Sequence, residues 1–101
     1  MRQHNYFVYI VTNSTKSTLY LGVTNDLSIR IKQHYENRGL QETFAGRYHC
    51  CFLVFWEHHT NINFAIEREK EIKKWRREKK DILITQFNSK WRFLNNDIQE
   101  C

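Results

Sequence analysis

The chain has 101 residues, with 16 lysines and arginines against 11 aspartates and glutamates, a net charge of +5 and a pI near 9.3. Hydrophobic residues make up 41% and aromatics 15%, with no proline and three glycines, which excludes disordered and low-complexity classes and suits one domain spanning residues 1–101. The basic balance favours polyanionic partners such as nucleic acid, and no run approaches the ~20 apolar residues of a membrane span.

The N-terminal stretch Met1-Arg-Gln-His-Asn-Tyr6 lacks the apolar run of a signal peptide. Tyr6 to Thr12 is β-branched or aromatic throughout, and Thr18 to Val23 largely so. Asn13-Ser-Thr-Lys-Ser17 between them is turn chemistry, so the segment predicts a β-hairpin. The period of two places Phe7, Tyr9 and Val11 on one face of the first strand, and Thr18, Tyr20 and Gly22 on one face of the second.

Asn25 or Asp26 can cap a helix that runs to about Asn37, where Asn-Arg-Gly provides a stop. Leu27, Arg30, Ile31 and His34 fall at i, i+3, i+4 and i+7, so an arginine and a histidine share the stripe that two aliphatic residues turn inward. An ordinary amphipathic helix would leave Arg30 on its wet face. Leu40 to His49 reads as a polar connection, and Cys51 to Glu57 as a strand buried on both sides that joins the hairpin.

A long helix is predicted from Asn61 or Asn63 through about Lys80, with Ala65, Ile66, Ile72 and Trp75 inward. Glu69 lies on that same face, whereas Glu67 and Glu71 point away. Residues Lys73 to Lys80 carry six positive charges against one negative. A continuing or second helix is expected at Asp81 to Phe87, then a short turn or helix over Asn88 to Phe93. The expected fold is α/β of the α+β type, a small antiparallel sheet of about three strands, the hairpin plus one later strand, flanked by helices.

Arg30, His34 and Glu69 are thus inward-facing polar groups where apolar ones would be cheaper, and such groups persist when they pair with one another or line a working cleft. Phe7-Val8-Tyr9 is followed, eleven residues after its tyrosine, by Tyr20-Leu21-Gly22. Arg30 comes ten residues after Tyr20, His34 four further on, one inward glutamate lies in the helix after the third strand, and an asparagine, Asn88, stands near the end. This ordered set resembles the GIY-YIG nuclease family from Tyr6 to about Leu94. Gly46-Arg47-Tyr48 and Ala65-Ile66-Glu67-Arg68-Glu69-Lys70 most resemble its small stand-alone bacterial members. The chain departs from the pattern at Phe7, where the family has glycine, and at Val23, where some members carry a lysine.

The resemblance implies a metal-dependent endonuclease acting on nucleic acid, with DNA as the expected substrate and one divalent cation, Mg²⁺ or Mn²⁺, held by Glu69. Mg²⁺ needs few protein ligands, because water and substrate phosphate complete its octahedron. Arg30 offers a planar fork that matches a phosphate and never deprotonates. One of Tyr9 and Tyr20 is expected to serve as general base, the two being indistinguishable here, with His34 orienting a hydroxyl or relaying its proton and Asn88 positioning by hydrogen bonds. Arg47 and Tyr48 are candidate backbone contacts, and Lys73, Lys74, Arg76 and Arg77 candidate phosphate contacts, their alternative being a solvated helix face.

The competing reading is a non-catalytic nucleic-acid-binding module that keeps the fold, and a third is a structural Arg30–Glu69 ion pair. His49-Cys50-Cys51 with His58-His59 contains zinc-ligand types, but adjacent residues on a strand point to opposite faces and no Cys-x-x-Cys pair is present. Adjacent Cys50 and Cys51, with Cys101 as an odd third, suit a reduced, cytoplasmic protein rather than a disulfide framework. The length leaves no room for a separate targeting domain, so targeting would fall to a protein partner or a homodimer.

Overall fold

A computed structural model describes residues 4–98. Strands β1 (Tyr6–Thr12) and β2 (Leu19–Thr24) pair antiparallel with Tyr9 opposite Gly22. The turn between them closes on Asn13, whose side-chain oxygen accepts from the Ser17 and Thr18 amides at 2.9 and 3.2 Å. Strand β3 (Phe52–His59) pairs antiparallel with the other edge of β1, giving the order β2-β1-β3.

The register of β3 shifts between Ile10 and Val11, leaving Val54 as an extra, unpaired residue. That irregularity turns Val54 and Phe55 into the same core, which is why the strand reads as an apolar run rather than an alternation. The freed Val54 carbonyl accepts from the Asn88 amide at 3.1 Å. The chain after Asn88 then lies along β3, with the Leu94 amide donating to the Leu53 carbonyl at 2.7 Å and Asn95 bridging the Leu53 amide and the Cys51 carbonyl.

Helices cover both faces of the sheet. Helix α1 (Leu27–Glu36), capped by Asp26 accepting from the Ile29 amide, places Leu27 and Ile31 against Tyr9, Val11 and Leu53. On the opposite face α3 (Ile62–Lys73) and α4 (Arg77–Phe87) bury Ala65, Ile72 and Ile84 against Val8, Ile10 and Leu21. The fold is therefore α+β, as the sequence implied. Among the described residues no helix is long and apolar enough to cross a membrane.

Several expectations need correction. The long helix predicted through Lys80 is two helices, broken at Lys74 to Arg76. A straight helix from Ile62 to Phe87 would run ~39 Å at ~1.5 Å per residue, about twice the length of a six-residue strand, and would carry Ile84 past the core it fills. Trp75, half-buried against that core, sits in the break, and Arg77 fixes the new direction by donating to the Lys16 and Ser17 carbonyls of the hairpin turn, both at 2.8 Å. Neither glycine nor proline marks the break, so no local signal announces it.

The connection expected over Leu40 to His49 contains a single helical turn, α2 (Phe44–Arg47), capped by the Thr43 hydroxyl accepting from the Gly46 amide at 3.0 Å. Ile66, expected inward, is exposed. Strand β3 extends to His59, and the segment after α4 is a turn, closed by the Trp91 amide donating to the Asn88 carbonyl at 2.9 Å. Cys50 and Cys51 are buried free thiols, and burial pushes the Cys50 thiol up to about 11. Cys101 lies outside the described residues.

Candidate active site

The sheet face under α1 and the helix itself bring together four of the residues singled out by sequence, Tyr9 and Tyr20 from the strands and Arg30 and His34 from α1. Tyr9, on the central strand, is buried, with its ring laid across β2. A Cβ at Gly22 would lie only 2.4 Å from the Tyr9 hydroxyl, so the glycine of Tyr20-Leu21-Gly22 is the space into which the phenol fits. Any larger residue there would displace that hydroxyl.

From the helix above, Arg30 Nε donates to Tyr9 Oη at 3.3 Å, and His34 Nε2 lies 2.8 Å from the same oxygen. Arg30 Nη1 also donates to Gln33 Oε1 at 3.1 Å, which sets the plane of the guanidinium. Burial, assisted by the Arg30 charge, pulls His34 down to about 4, so its imidazole is neutral at neutral pH. Arg30 can only donate, so the Tyr9 proton is directed to His34 Nε2 as acceptor. This network fixes the tautomer with the imidazole proton on Nδ1. Burial pushes the Tyr9 phenol up to about 12 despite the hydrogen bond and charge of Arg30, with Tyr20 and Glu69 adding to the rise.

Tyr20 stands differently. It is half-buried, meets the His34 ring edge-on at 5.5 Å between centroids and stacks on Phe44 at 6.2 Å. Tyr20, Arg30, His34 and Phe44 line a cleft of about 130 Å³ floored by Ala45 and Gly46. The structure thus separates two tyrosines that the sequence left equivalent, one locked between Arg30 and His34 and the other on the cleft wall.

Glu69 comes from α3, on the opposite face of the sheet, and is half-buried with its carboxylate 3.4 Å from the Lys73 ammonium. No ion pair joins it to Arg30 among the described residues, which removes the structural pairing that helix phase alone allowed. Its influence on the cluster is the charge it exerts on Tyr9. Glu67 and Glu71 are exposed, Glu71 being paired with Arg68.

Among the described residues no group of three or more histidine, cysteine or acidic side chains is placed to hold a metal. The donor set fits a hard cation that keeps most of its shell as water and phosphate oxygen, because one half-buried carboxylate with a displaceable ammonium neighbour is an incomplete ligand for anything else.

Other candidates lie apart. Asn88 is buried and spends its amide on Val54 and Arg92 backbone groups, which accounts for it as the cap of α4 and the tie to β3. Arg47 donates twice to the Gln41 carbonyl, while exposed Tyr48 packs on Phe44 at 4.7 Å. Arg77 is committed to the hairpin turn and Asp81. Lys74 and Arg76 form no ion pair among the described residues. Phe44 and Gln33 had no signal in the sequence, since an exposed phenylalanine in a polar loop and a glutamine on a wet helix face are both commonplace.

A family model described as the GIY-YIG catalytic domain matches residues 5–81, which takes in Tyr9, Tyr20, Arg30, His34 and Glu69. The chain belongs to the GIY-YIG family. Within it, the chain is 35% identical over 89 residues to a UPF0213 protein of Bacillus pumilus, covering 83% of each. It is 38% identical over 80 residues to UPF0213 proteins of Staphylococcus aureus, covering 79% of this chain and 94% of theirs. Its fold is similar to the solution NMR structure of a UPF0213 protein from Bacillus halodurans, with a TM-score of 0.50, 32% identity, and 81% and 84% of the two chains covered. This chain spans most of each of these relatives, in keeping with the small stand-alone class that the runs Gly46 to Tyr48 and Ala65 to Lys70 resemble.

Proposed function

We propose that this GIY-YIG protein is a divalent-metal-dependent endonuclease that hydrolyses phosphodiester bonds in DNA. The observation that carries the reading is the chain of hydrogen bonds from Arg30 through Tyr9 to a neutral His34, beside a cleft walled by Tyr20. Arg30 holds the scissile phosphate with the guanidinium edge left free by Tyr9 and Gln33 and offsets charge on its oxygens. Tyr9 Oη, covered behind the cleft wall, holds Arg30 and His34 in place, and Tyr20, on the wall itself, takes the proton of the attacking water. Burial keeps water from Tyr9 and makes a phenolate there costly, which leaves the tyrosine on the cleft wall as the base.

Glu69 would hold the cation, which when bound supplies positive charge against the phosphoryl and leaving oxygens. Lys73 would release Glu69 as it does so, and return to it afterwards.

Single-turnover cleavage of plasmid and flapped DNA, with and without Mg²⁺ or Mn²⁺, tests the reading. Glu69→Gln should lower the rate by about 100-fold or more with DNA binding retained, since an amide is nearly isosteric but a far weaker ligand, while Glu67→Gln should change little. Binding without any metal-stimulated cleavage would instead identify a module that keeps the fold without the chemistry.

A further inference from the structure

A surface recess lies on the other flank of α1 and is lined by none of the residues given a catalytic role. It holds about 440 Å³, against which Tyr35, Phe52, Phe93, Ile31 and Ile98 present apolar surface and Lys32 a charge. Phe52 and Phe93 stack face to face at 4.3 Å, and Tyr35 meets Phe52 edge-on at 6.5 Å, so the wall is a continuous aromatic surface. Tyr35 and Phe93 remain 45% and 38% exposed, which is unusual for rings already packed on one another and leaves area for a further flat group.

The charges around this wall are positive. Arg38 lies 3.9 Å over the Tyr35 ring, Lys16 5.4 Å from the Phe93 ring, and Lys32 lines the recess itself. Among the described residues no acidic side chain lines it, and neighbouring Asp97 is paired with Arg92 at 3.1 Å. Asn96, on the rim, offers an exposed amide, whereas Asn95 is occupied in holding β3.

Aromatic rings with open area, cations spaced around them and an amide at the edge match an unpaired nucleobase with its flanking phosphates. A paired base offers no free face, so duplex DNA could not use the wall. We infer that this recess binds an unpaired base of a single DNA strand, and that the substrate carries a single-stranded segment beside the cut. The geometry supports it: Tyr35 follows His34 directly on α1, so a strand leaving the cleft would meet the recess across the width of one helix. The substrate class rests on the nuclease reading, but the binding site does not require it.

The test uses binding in EDTA, where hydrolysis cannot contribute. Oligodeoxythymidylate carrying one 2-aminopurine should lose fluorescence on binding the intact protein, and the same label within a duplex should not. Tyr35→Ala and Phe93→Ala should each weaken single-strand affinity by about tenfold with duplex affinity unchanged, while Tyr35→Phe, which keeps the ring, should bind like the parent. Thermal melts on the same samples establish folding, and exposed Tyr35 can be replaced without opening a core. Unchanged single-strand affinity in folded Tyr35→Ala, equal losses on single strand and duplex, or tighter displacement by an oligoribonucleotide would each overturn the assignment. Metal-stimulated cleavage of flapped DNA by intact protein that leaves the single-strand probe unquenched would sink the recess and leave the nuclease intact. Quenching without cleavage would do the reverse.

Discussion

The Tyr9 hydroxyl receives a hydrogen bond from a permanent cation and gives one to an imidazole held neutral by burial, so each member of the trio sets the protonation of the next. Stability should follow. An unfolded histidine titrates near ~6.5, and His34 in the fold near about 4, so as pH falls the unfolded chain takes up the proton first. The stabilisation is complete above ~6.5 and is lost on descent toward about 4. Thermal melts between these values should show the decline, and His34→Asn should flatten it; a slope indifferent to that change would place the titration elsewhere. Arg30 differs because it lines a cleft and has no carboxylate partner among the described residues. Arg30→Ala should therefore cost only about 1 kcal/mol of stability, the net worth of a hydrogen bond, yet slow single-turnover cleavage by about 100-fold or more. A variant that melts far lower but cuts normally once folded would return Arg30 to a structural role.

Among the elements, the junction between α3 and α4 decides how the basic run is used. Lys73 pairs with Glu69, Lys79 lies 4.3 Å over Trp75, and Arg77 bonds two carbonyls of the β1–β2 turn, so part of the charge is committed to the fold. Arg77→Ala should lower stability by about 1–3 kcal/mol through two orphaned carbonyl contacts and the lost Asp81 pair, with little effect on how salt weakens DNA binding. Guanidinium melts and salt titrations on the same protein check both halves. A loss of salt dependence without destabilisation would show that Arg77 contacts phosphate rather than the hairpin.

For the molecule as a whole, the charge of +5 implies that DNA binding weakens steeply as salt rises, because each lysine or arginine that meets a phosphate displaces a counterion. The side chains free to do so include Lys74 and Arg76, at the break between helices, and Lys32 and Arg38, around α1. Removing Lys74 and Arg76 together should reduce the slope of log affinity against log salt by about 1.8 units if both neutralise phosphates, with the melt unchanged. An unaltered slope would leave that pair as a solvated face. The sheet separates the two helical layers, so a duplex in contact with the cleft under α1 would reach the α3–α4 junction only around the β2 edge. The measured slope therefore also reports how far DNA wraps.

The hairpin, the third strand, helix α1 and the family are legible in the sequence, which writes period-two alternation, turn chemistry, the Asp26 cap and the spacing of Tyr9, Tyr20, Arg30, His34 and Glu69 locally. It determined too that Glu69 rather than Glu67 shares a face with Ile72, which the half-buried and exposed positions of the two glutamates match. The separation of α3 from α4 comes instead from tertiary contacts, with Trp75 against the core and Arg77 on the hairpin turn, and no breaking residue marks it. Tertiary packing likewise sets Asn88 against the bulge at Val54 and gives Tyr9 rather than Tyr20 the hydrogen bond to His34. Both tyrosines have the same chemistry and the same side of the sheet. Their difference arises because β1 is central and β2 is an edge strand, so that Tyr9 alone is covered on every side, with Gly22 making room for its hydroxyl.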